Sequence, residues 1–411
     1  MRLLAVSYNL PPMLYPQAIQ IGRLLAWLPV EIAAVSGSVE VLATGLDSYE
    51  DFDRKLAFNL KVPNRTKLPR LAQSLALHLV PCYGRSPDLF RGWVKQAEAA
   101  LVEKLDSSGY RPDALITFGE PMSDHLLGLR LKQRFGLPWI AHFSDPWADN
   151  PFRRHEVMSN ILNRRDERQV VELADRVIFT SVETLDLVMG KYPPAWRGKA
   201  SVLGHSFDPA LYPPRSGGGD HLIVRYLGNF YGHRSPLPLF KALRLILDAQ
   251  PRALDGVVFE LVGSLPKRML LHSAFKSLPE GLVRLVGTVP YSQSMKLMSS
   301  ADLLLVIDGP DDLSVFLPSK LIDYVGAGVP IFGIVPLGTS ACLLTRLGGA
   351  IADPRAPSEV ATELLKALAE VRARKSEPRE LPWGAPEVRS EFHIDSVVKA
   401  FSALLTELQP R

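Results

Sequence analysis

The sequence predicts an α/β protein of two tandem doubly wound, Rossmann-like domains facing across a cleft. Three observations carry this reading. Apolar runs of strand length alternate with stretches of helical periodicity along almost the whole chain. The alternation restarts after a stretch rich in breakers. At 411 residues, the chain also exceeds what one hydrophobic core usually serves.

In the first half, strands are expected over 3–7, 39–44, 113–118, 138–143, 176–180 and 200–203, with 29–38 as the lead-in to the second. Helices are expected over 17–28, 93–106, 123–135, 161–174 and 182–191. Ile21, Leu24, Leu25 and Leu28 share one face of the first helix. Strands separated by helices of this length imply a parallel sheet covered on both faces. Pro209, Pro213, Pro214 and the glycines at 217–219 then read as a flexible link. No P-loop lysine follows those glycines, so they are no phosphate loop.

The second half repeats the pattern. Strands are expected over 222–227, 257–262, 283–285, 303–307, 329–334 and 350–351. Helices are expected over 237–249, 267–277, 291–299, 320–327, 340–346, 357–371 and 394–408, with a charged connector over 372–379. The expected division is a first domain over 1–208, a linker over 209–220 and a second domain over 221–390. A final helical segment over 391–411 is expected to pack back toward the first domain.

Composition excludes several classes. A hydrophobic fraction of 47% and a charged fraction of 22% are those of a globular protein. A net charge of +4, without an aromatic-basic platform, is too weak for a nucleic-acid binder. No run of about 18 apolar residues is present to span a membrane. The short apolar start ends at Pro11 and reads as a buried strand, not a signal peptide. Cys82 and Cys342 lack metal or redox spacing and read as free thiols of a reducing compartment. The expected location is the cytoplasm, with at most peripheral attachment to the inner face of a membrane.

The stretch over 316–333 is the most informative. Pro318 and Ser319 signal a helix start, with Ser319 expected as its cap. Gly328 suits the left-handed position beyond the helix end. Ser319, Lys320 and Asp323 fall on one side of the helix near its start. A helix N-terminus plus a lysine is a ready phosphate site, and a carboxylate one turn deeper can accept from ribose hydroxyls. A nucleotide-diphosphate pocket is therefore expected.

Three other stretches carry candidate chemistry. In the loop over 226–236, Gly228 and Gly232 allow close approach of a ligand beside Asn229. His233 and Arg234 add donors there, and Arg234 suits bidentate contact with a diphosphate. At the end of the 138–143 strand, His142, Asp145, Trp147, Asp149 and Asn150 gather polar groups where an α/β sheet binds ligands. Asp145 and Asp149 equally suit caps of the following turn. Over 54–95, basic residues such as Arg65 and Arg70 interleave with Leu71, Leu75 and Trp93. That mixture suits an anionic membrane surface, or equally a solvated helical face.

With these residues in place, the chain resembles the group 1 (family 4-like) retaining glycosyltransferases of GT-B fold. Segment 318–330 is similar to that family's donor-site signature, and Ser300, Ala301 and Asp302 before an apolar strand also fit. Segment 202–208 resembles the family's interdomain hinge. Ser144 to Trp147 is similar to an Arg-Asp-Pro-Trp stretch of bacterial members. The resemblance implies transfer of a sugar from a nucleotide-diphosphate-sugar to an acceptor hydroxyl with retention, in cell-surface polysaccharide or glycolipid synthesis. The acceptor would be a glycan or a lipid-linked acceptor.

It also implies that the first domain is acceptor-side and the second holds the donor. Arg234 and Lys320 would hold the diphosphate, with Gly228, Asn229, Pro318 and Ser319 around it. Asp323 would stand for the glutamate that binds ribose. The family's sugar-binding glutamate falls eight residues earlier, where this chain has Val315. Asp308, Asp311, Asp312 and Ser314 are then the candidate sugar contacts, and His142 and Asp145 the catalytic candidates. The stretch over 11–16 lacks the glycines that family members carry near the donor phosphate. No metal or cofactor is expected beyond the nucleotide sugar as co-substrate. A nucleotide-sugar epimerase of the same fold and a catalytically silent nucleotide-sugar-binding protein are the alternatives.

Overall fold

The computed structural model describes residues 1–13, 15–38, 52–64, 86–152, 157–214, 219–375 and 382–408. The chain divides into two compact units, one of Met1–Gly204 with Val397–Arg411 and one of His205–Ser396.

The first unit is built on strands β1 (Arg2–Val6), β2 (Glu31–Ser38), β3 (Phe58–Pro63), β4 (Ala114–Gly119), β5 (Trp139–Phe143), β6 (Arg176–Phe179) and β7 (Ala200–Val202). They form one parallel sheet in the order β3-β2-β1-β4-β5-β6-β7. Helices such as Ser123–Phe135 cover it. Trp93 and Trp139 are fully buried in the core. Each indole N–H finds an acceptor: Trp93 donates to the Val62 carbonyl (3.0 Å) and Trp139 to the Thr117 hydroxyl (3.0 Å). Truncating either to alanine would cost about 3–5 kcal/mol.

Two strand expectations in this unit need correction. The second strand is Glu31–Ser38, the segment read as a lead-in, while 39–44 lies outside the described residues. Ala33, Ala34 and Val35 are fully buried there, so packing between neighbouring strands overrides the weak β-propensity of alanine. The edge strand Phe58–Pro63 went unread, because Val62 is its one buried residue and the rest is half-wet.

The second unit carries β8 (Leu222–Leu227), β9 (Val257–Val262), β10 (Val283–Gly287), β11 (Leu303–Ile307), β12 (Ile331–Ile334) and β13 (Ala350–Ala352). Its sheet is also parallel, in the order β10-β9-β8-β11-β12-β13. Phe240 and Leu243 of helix Leu237–Ala249 and Val360, Leu364 and Leu368 of helix Pro357–Lys375 bury against it. The helix expected over 267–277 is two short pieces, Lys267–Leu270 and Ser273–Lys276. His272 breaks it, since its ring nitrogen caps the second piece by accepting from the Ala274 N–H (3.1 Å). Strand order reverses between β8 and β11, so the loops leaving their carboxyl ends diverge and open a crevice. Among the described residues, no helix is long and apolar enough to cross a membrane.

Candidate functional site

The crevice of the second unit is built by the loops after β8 and β11 and the N-terminus of helix Ser319–Ala327. Local sequence sets each part. Gly228 ends β8 with φ +139°, and Gly263 ends β9 with φ +124°. A Cβ on Gly263 would stand 2.3 Å from the Gly228 carbonyl oxygen, and one on Gly228 would stand 2.8 Å from the Lys320 Nζ. Glycine is required at both positions by backbone and by space. Asn229 holds the two loops together by accepting from the Ser264 N–H (2.8 Å).

The helix starts one residue earlier than expected. Pro318 is its cap residue, and no side chain caps it, so Ser319 is the first helical residue and not the cap. The proline ring brings no hydrogen-bonding group to a position where serine would have supplied one. The helix ends as expected at Gly328, with φ +64°. An uncapped N-terminus concentrates partial positive charge.

Lys320 brings its side-chain nitrogen to that end. Its Nζ donates to the Tyr226 hydroxyl (2.7 Å) and lies 4.1 Å from the centroid of the same ring. Burial, then the charge of Arg234, hold the Lys320 ammonium well below the ordinary lysine range, while Asp308 pulls the other way. Arg234 is buried and ion-paired through Nη2 to Asp308 Oδ1 (2.5 Å). Its Nη1 donates to the Tyr231 hydroxyl (3.3 Å), and the Tyr231 ring lies 5.2 Å from the guanidinium carbon. Asp308 accepts a second bond from the Ser340 hydroxyl (3.2 Å). Arg234 pairs with Asp308 while Lys320 lies near enough for the two basic groups to repel, a setting that an oxyanion ligand would relieve.

The other candidates fall as follows. Asp323 is buried one helical turn behind Ser319. Asp311 faces His233 (3.1 Å) and Asp312 pairs with Arg355 (2.6 Å). Ser314 is buried and bridged by its backbone to Gly338, with its N–H donating to the Leu337 carbonyl (2.8 Å). Val315 is buried. The fold therefore gathers Gly228, Arg234, Asp308 and Lys320, while Asp311 contacts the His233 ring and Asp312 pairs with Arg355. Tyr226, Tyr231 and Ser340 were missed as site residues. Two aromatics flanking a glycine loop were the available signal for the tyrosines, but Ser340 gave none.

In the first unit, His142 lies in β5 and Asp145 two residues beyond its end. His142 is buried with its ring 5.3 Å from that of Phe118, and burial pushes its pKa down to about 4. Neighbouring His125 is lowered to about 3, by burial and then by His142. Asp145 is half-buried. Gln17 donates to the Gly119 carbonyl (2.5 Å), and Thr180 to the Ser144 carbonyl (2.8 Å), knitting the ends of β4, β5 and β6. Asp149 pairs with Lys191 (2.5 Å) and Arg164 (2.9 Å), and Asn150 accepts from the Phe152 N–H (2.9 Å), so both shape the loop itself. Among the described residues, no cluster of three or more metal-ligating side chains is gathered.

Similar proteins are consistent with this geometry. Across 99% of its length the chain is similar to sucrose-phosphate synthase of Thermosynechococcus elongatus, with a TM-score of 0.69, 17% identity and 98% of that chain covered. It is likewise similar over 99% to HepE of Anabaena in complex with UDP-glucose, with a TM-score of 0.64, 15% identity and all (100%) of that chain covered. A third neighbour is the lipopolysaccharide outer core galactosyltransferase WaaB in its apo form, with a TM-score of 0.61, 12% identity and 99% of each chain covered. The two parallel sheets and these neighbours define the class, a protein of GT-B fold. Residues 23–200, within the first unit, match the family model described as the glycosyl transferase 4-like domain. No curated protein matches the chain significantly by sequence.

Proposed function

We propose that the protein transfers a sugar, with retention, from a nucleotide-diphosphate-sugar to an acceptor hydroxyl of a cell-surface glycan or glycolipid. One observation carries the donor assignment: Arg234, ion-paired to Asp308, and Lys320, bonded to the Tyr226 hydroxyl, come together at an uncapped helix N-terminus. Such a site favours a diphosphate, and more so as charge builds on it when the sugar–phosphate bond breaks. Arg234 and Lys320 would bind the phosphates, and Asp323 the ribose. His142 and Asp145 would orient acceptor or sugar, His142 as a neutral imidazole. No metal is assigned to the reaction. HepE was solved with UDP-glucose, which makes UDP-sugars the first donors to try.

The test is a screen of UDP-, GDP-, ADP- and TDP-sugars for transfer or hydrolysis by the purified protein. Lys320→Ala with unchanged turnover of a confirmed donor would sink the phosphate assignment. Buried Val315, where the resemblance places a sugar-binding acid, motivates a second reading: binding of a nucleotide sugar without turnover. Calorimetric binding without product, across acceptors, would favour it.

Peripheral attachment to an anionic membrane through 54–95 belongs to the same proposal, although 65–85 lies outside the described residues. Of its described basic residues, Lys61 pairs with Asp53 (2.5 Å) and Arg91 with Asp166 (3.3 Å). Equal sedimentation with anionic and neutral liposomes at low salt would argue against attachment.

A further inference from the structure

We propose that Asp308 is a positioning residue, which fixes the Arg234 guanidinium to receive the donor diphosphate, and not a contact to the sugar. The inference rests on the reading of Arg234 as a phosphate ligand.

Three features of the second unit carry it. First, both carboxylate oxygens of Asp308 are engaged: Oδ1 by Arg234 Nη2 (2.5 Å) and Oδ2 by the Ser340 hydroxyl (3.2 Å). With 3% exposure, the carboxylate is oriented inward onto these partners. Second, its partners come from neighbouring parts of the sheet. Arg234 follows β8, Asp308 follows β11, and Ser340 lies in helix Thr339–Leu347 after β12. One side chain thereby ties together the ends of three adjacent strands at the point where strand order reverses. Third, Arg234 is held on two of its nitrogens. Nη2 is on Asp308 and Nη1 on the Tyr231 hydroxyl (3.3 Å), while Nε is buried without a hydrogen-bond partner. A guanidinium fixed at two corners loses little freedom when an oxyanion arrives. Asp308 places its hydrogen bonds on Arg234 and Ser340, while the Lys320 Nζ bonds the Tyr226 hydroxyl, so the clamp forms no direct ion pair with Lys320.

The opposite effect of Asp308 is a competition with phosphate for Arg234, and the two predict opposite signs. Asp308→Asn keeps the shape and an oxygen for Ser340 but removes the charge. Binding of UDP, GDP and ADP is measured by calorimetry on the full chain, and KM and kcat with the donor that the screen identifies. A positioning role predicts that the nucleoside-diphosphate Kd and the donor KM rise together by roughly 10- to 100-fold, as for loss of an outer-shell partner, with kcat changed less. In an Arg234→Ala background, Asp308→Asn should add much less than it does in the wild type, since its main effect runs through Arg234. Should Asp308→Asn fail to fold, Ser340→Ala frees one carboxylate oxygen without stranding a charge. It should raise Kd by about fivefold, as for one hydrogen bond.

An unchanged or lower Kd in Asp308→Asn or in Ser340→Ala overturns the inference, as does full additivity with Arg234→Ala. The two levels separate cleanly. If Arg234→Ala leaves Kd unchanged, the phosphate reading fails and the inference with it. If Arg234→Ala weakens binding and Asp308→Asn does not, the inference alone fails.

Discussion

The ammonium of Lys320 donates to the Tyr226 hydroxyl at 2.7 Å while lying 4.1 Å from the centroid of the same ring. A tyrosine is a weak substitute for a counter-ion. It shelters the lysine without an ion pair, so a bound anion would be what favours the charged form. Lys320→Ala should raise the barrier to donor turnover by about 2–4 kcal/mol, as for other lost electrostatic donors. Tyr226→Phe keeps the ring and loses the hydroxyl's bonds to Lys320 (2.7 Å) and, more weakly, to the Asn229 carbonyl (3.5 Å). It should cost about 1 kcal/mol of stability, and steady-state kinetics with thermal melts would separate the two effects.

Donor binding should depend on pH through Lys320. Its ammonium titrates well below the ordinary lysine range in the empty site, by burial and by Arg234. A bound diphosphate favours the charged form and raises that pKa again, so binding takes up protons. Donor affinity is therefore full below the empty-site pKa and falls as pH rises through it. Calorimetry of UDP in buffers of different ionisation enthalpy should show net proton uptake in that window. Its absence in the wild type, or its persistence in Lys320→Ala, would contradict the assignment.

A methyl group at Gly228 should disable the site. The position has φ +139°, and a Cβ there would press on the Lys320 ammonium at 2.8 Å. Gly228→Ala should cost about 1–3 kcal/mol of stability from backbone strain and also weaken nucleoside-diphosphate binding. Gly256 has φ +73° with nothing within 4 Å of a Cβ. Gly256→Ala should lose stability alone, and paired melts and titrations would distinguish the two.

The first unit should weaken in mild acid. His142 titrates at about 4 and His125 at about 3, both lowered from 6.5 chiefly by burial. Unfolded chains bind these protons near pH 6.5 and the folded state does not. Stability from both groups is complete above that pH and is lost as pH falls toward 4. For His142 the loss is on the order of 3 kcal/mol. Denaturant melts between pH 7 and pH 4 should show a smaller decline in a folded His142→Gln variant.

What sequence could show, and what it could not, divides along physical lines. Helix Ser319–Ala327 and its Gly328 stop are local, because a left-handed turn residue and an apolar face are written in consecutive letters. So are the buried parallel strands, such as β11 with five apolar residues in a row. Strand Glu31–Ser38 was obscured because alanine and serine have weak local preference, and the neighbouring strands decide its place. The partner of Arg234 was hidden for a related reason. Asp308 lies 74 positions away, and only the strand order brings it to 2.5 Å. Proline and serine at a helix start look alike as signals, yet one caps and the other cannot.

The discontinuity of the first unit bears on how the protein is made. Its last piece, from Val397 onward, is synthesised only after all of His205–Ser396 has been produced. Val397, Phe401 and Leu405 are buried, so the ribosome must deliver this apolar strip late to a body that has waited for it. The second unit, by contrast, is continuous. A chain cut after Ser396 would leave the earlier-made half without its closing piece.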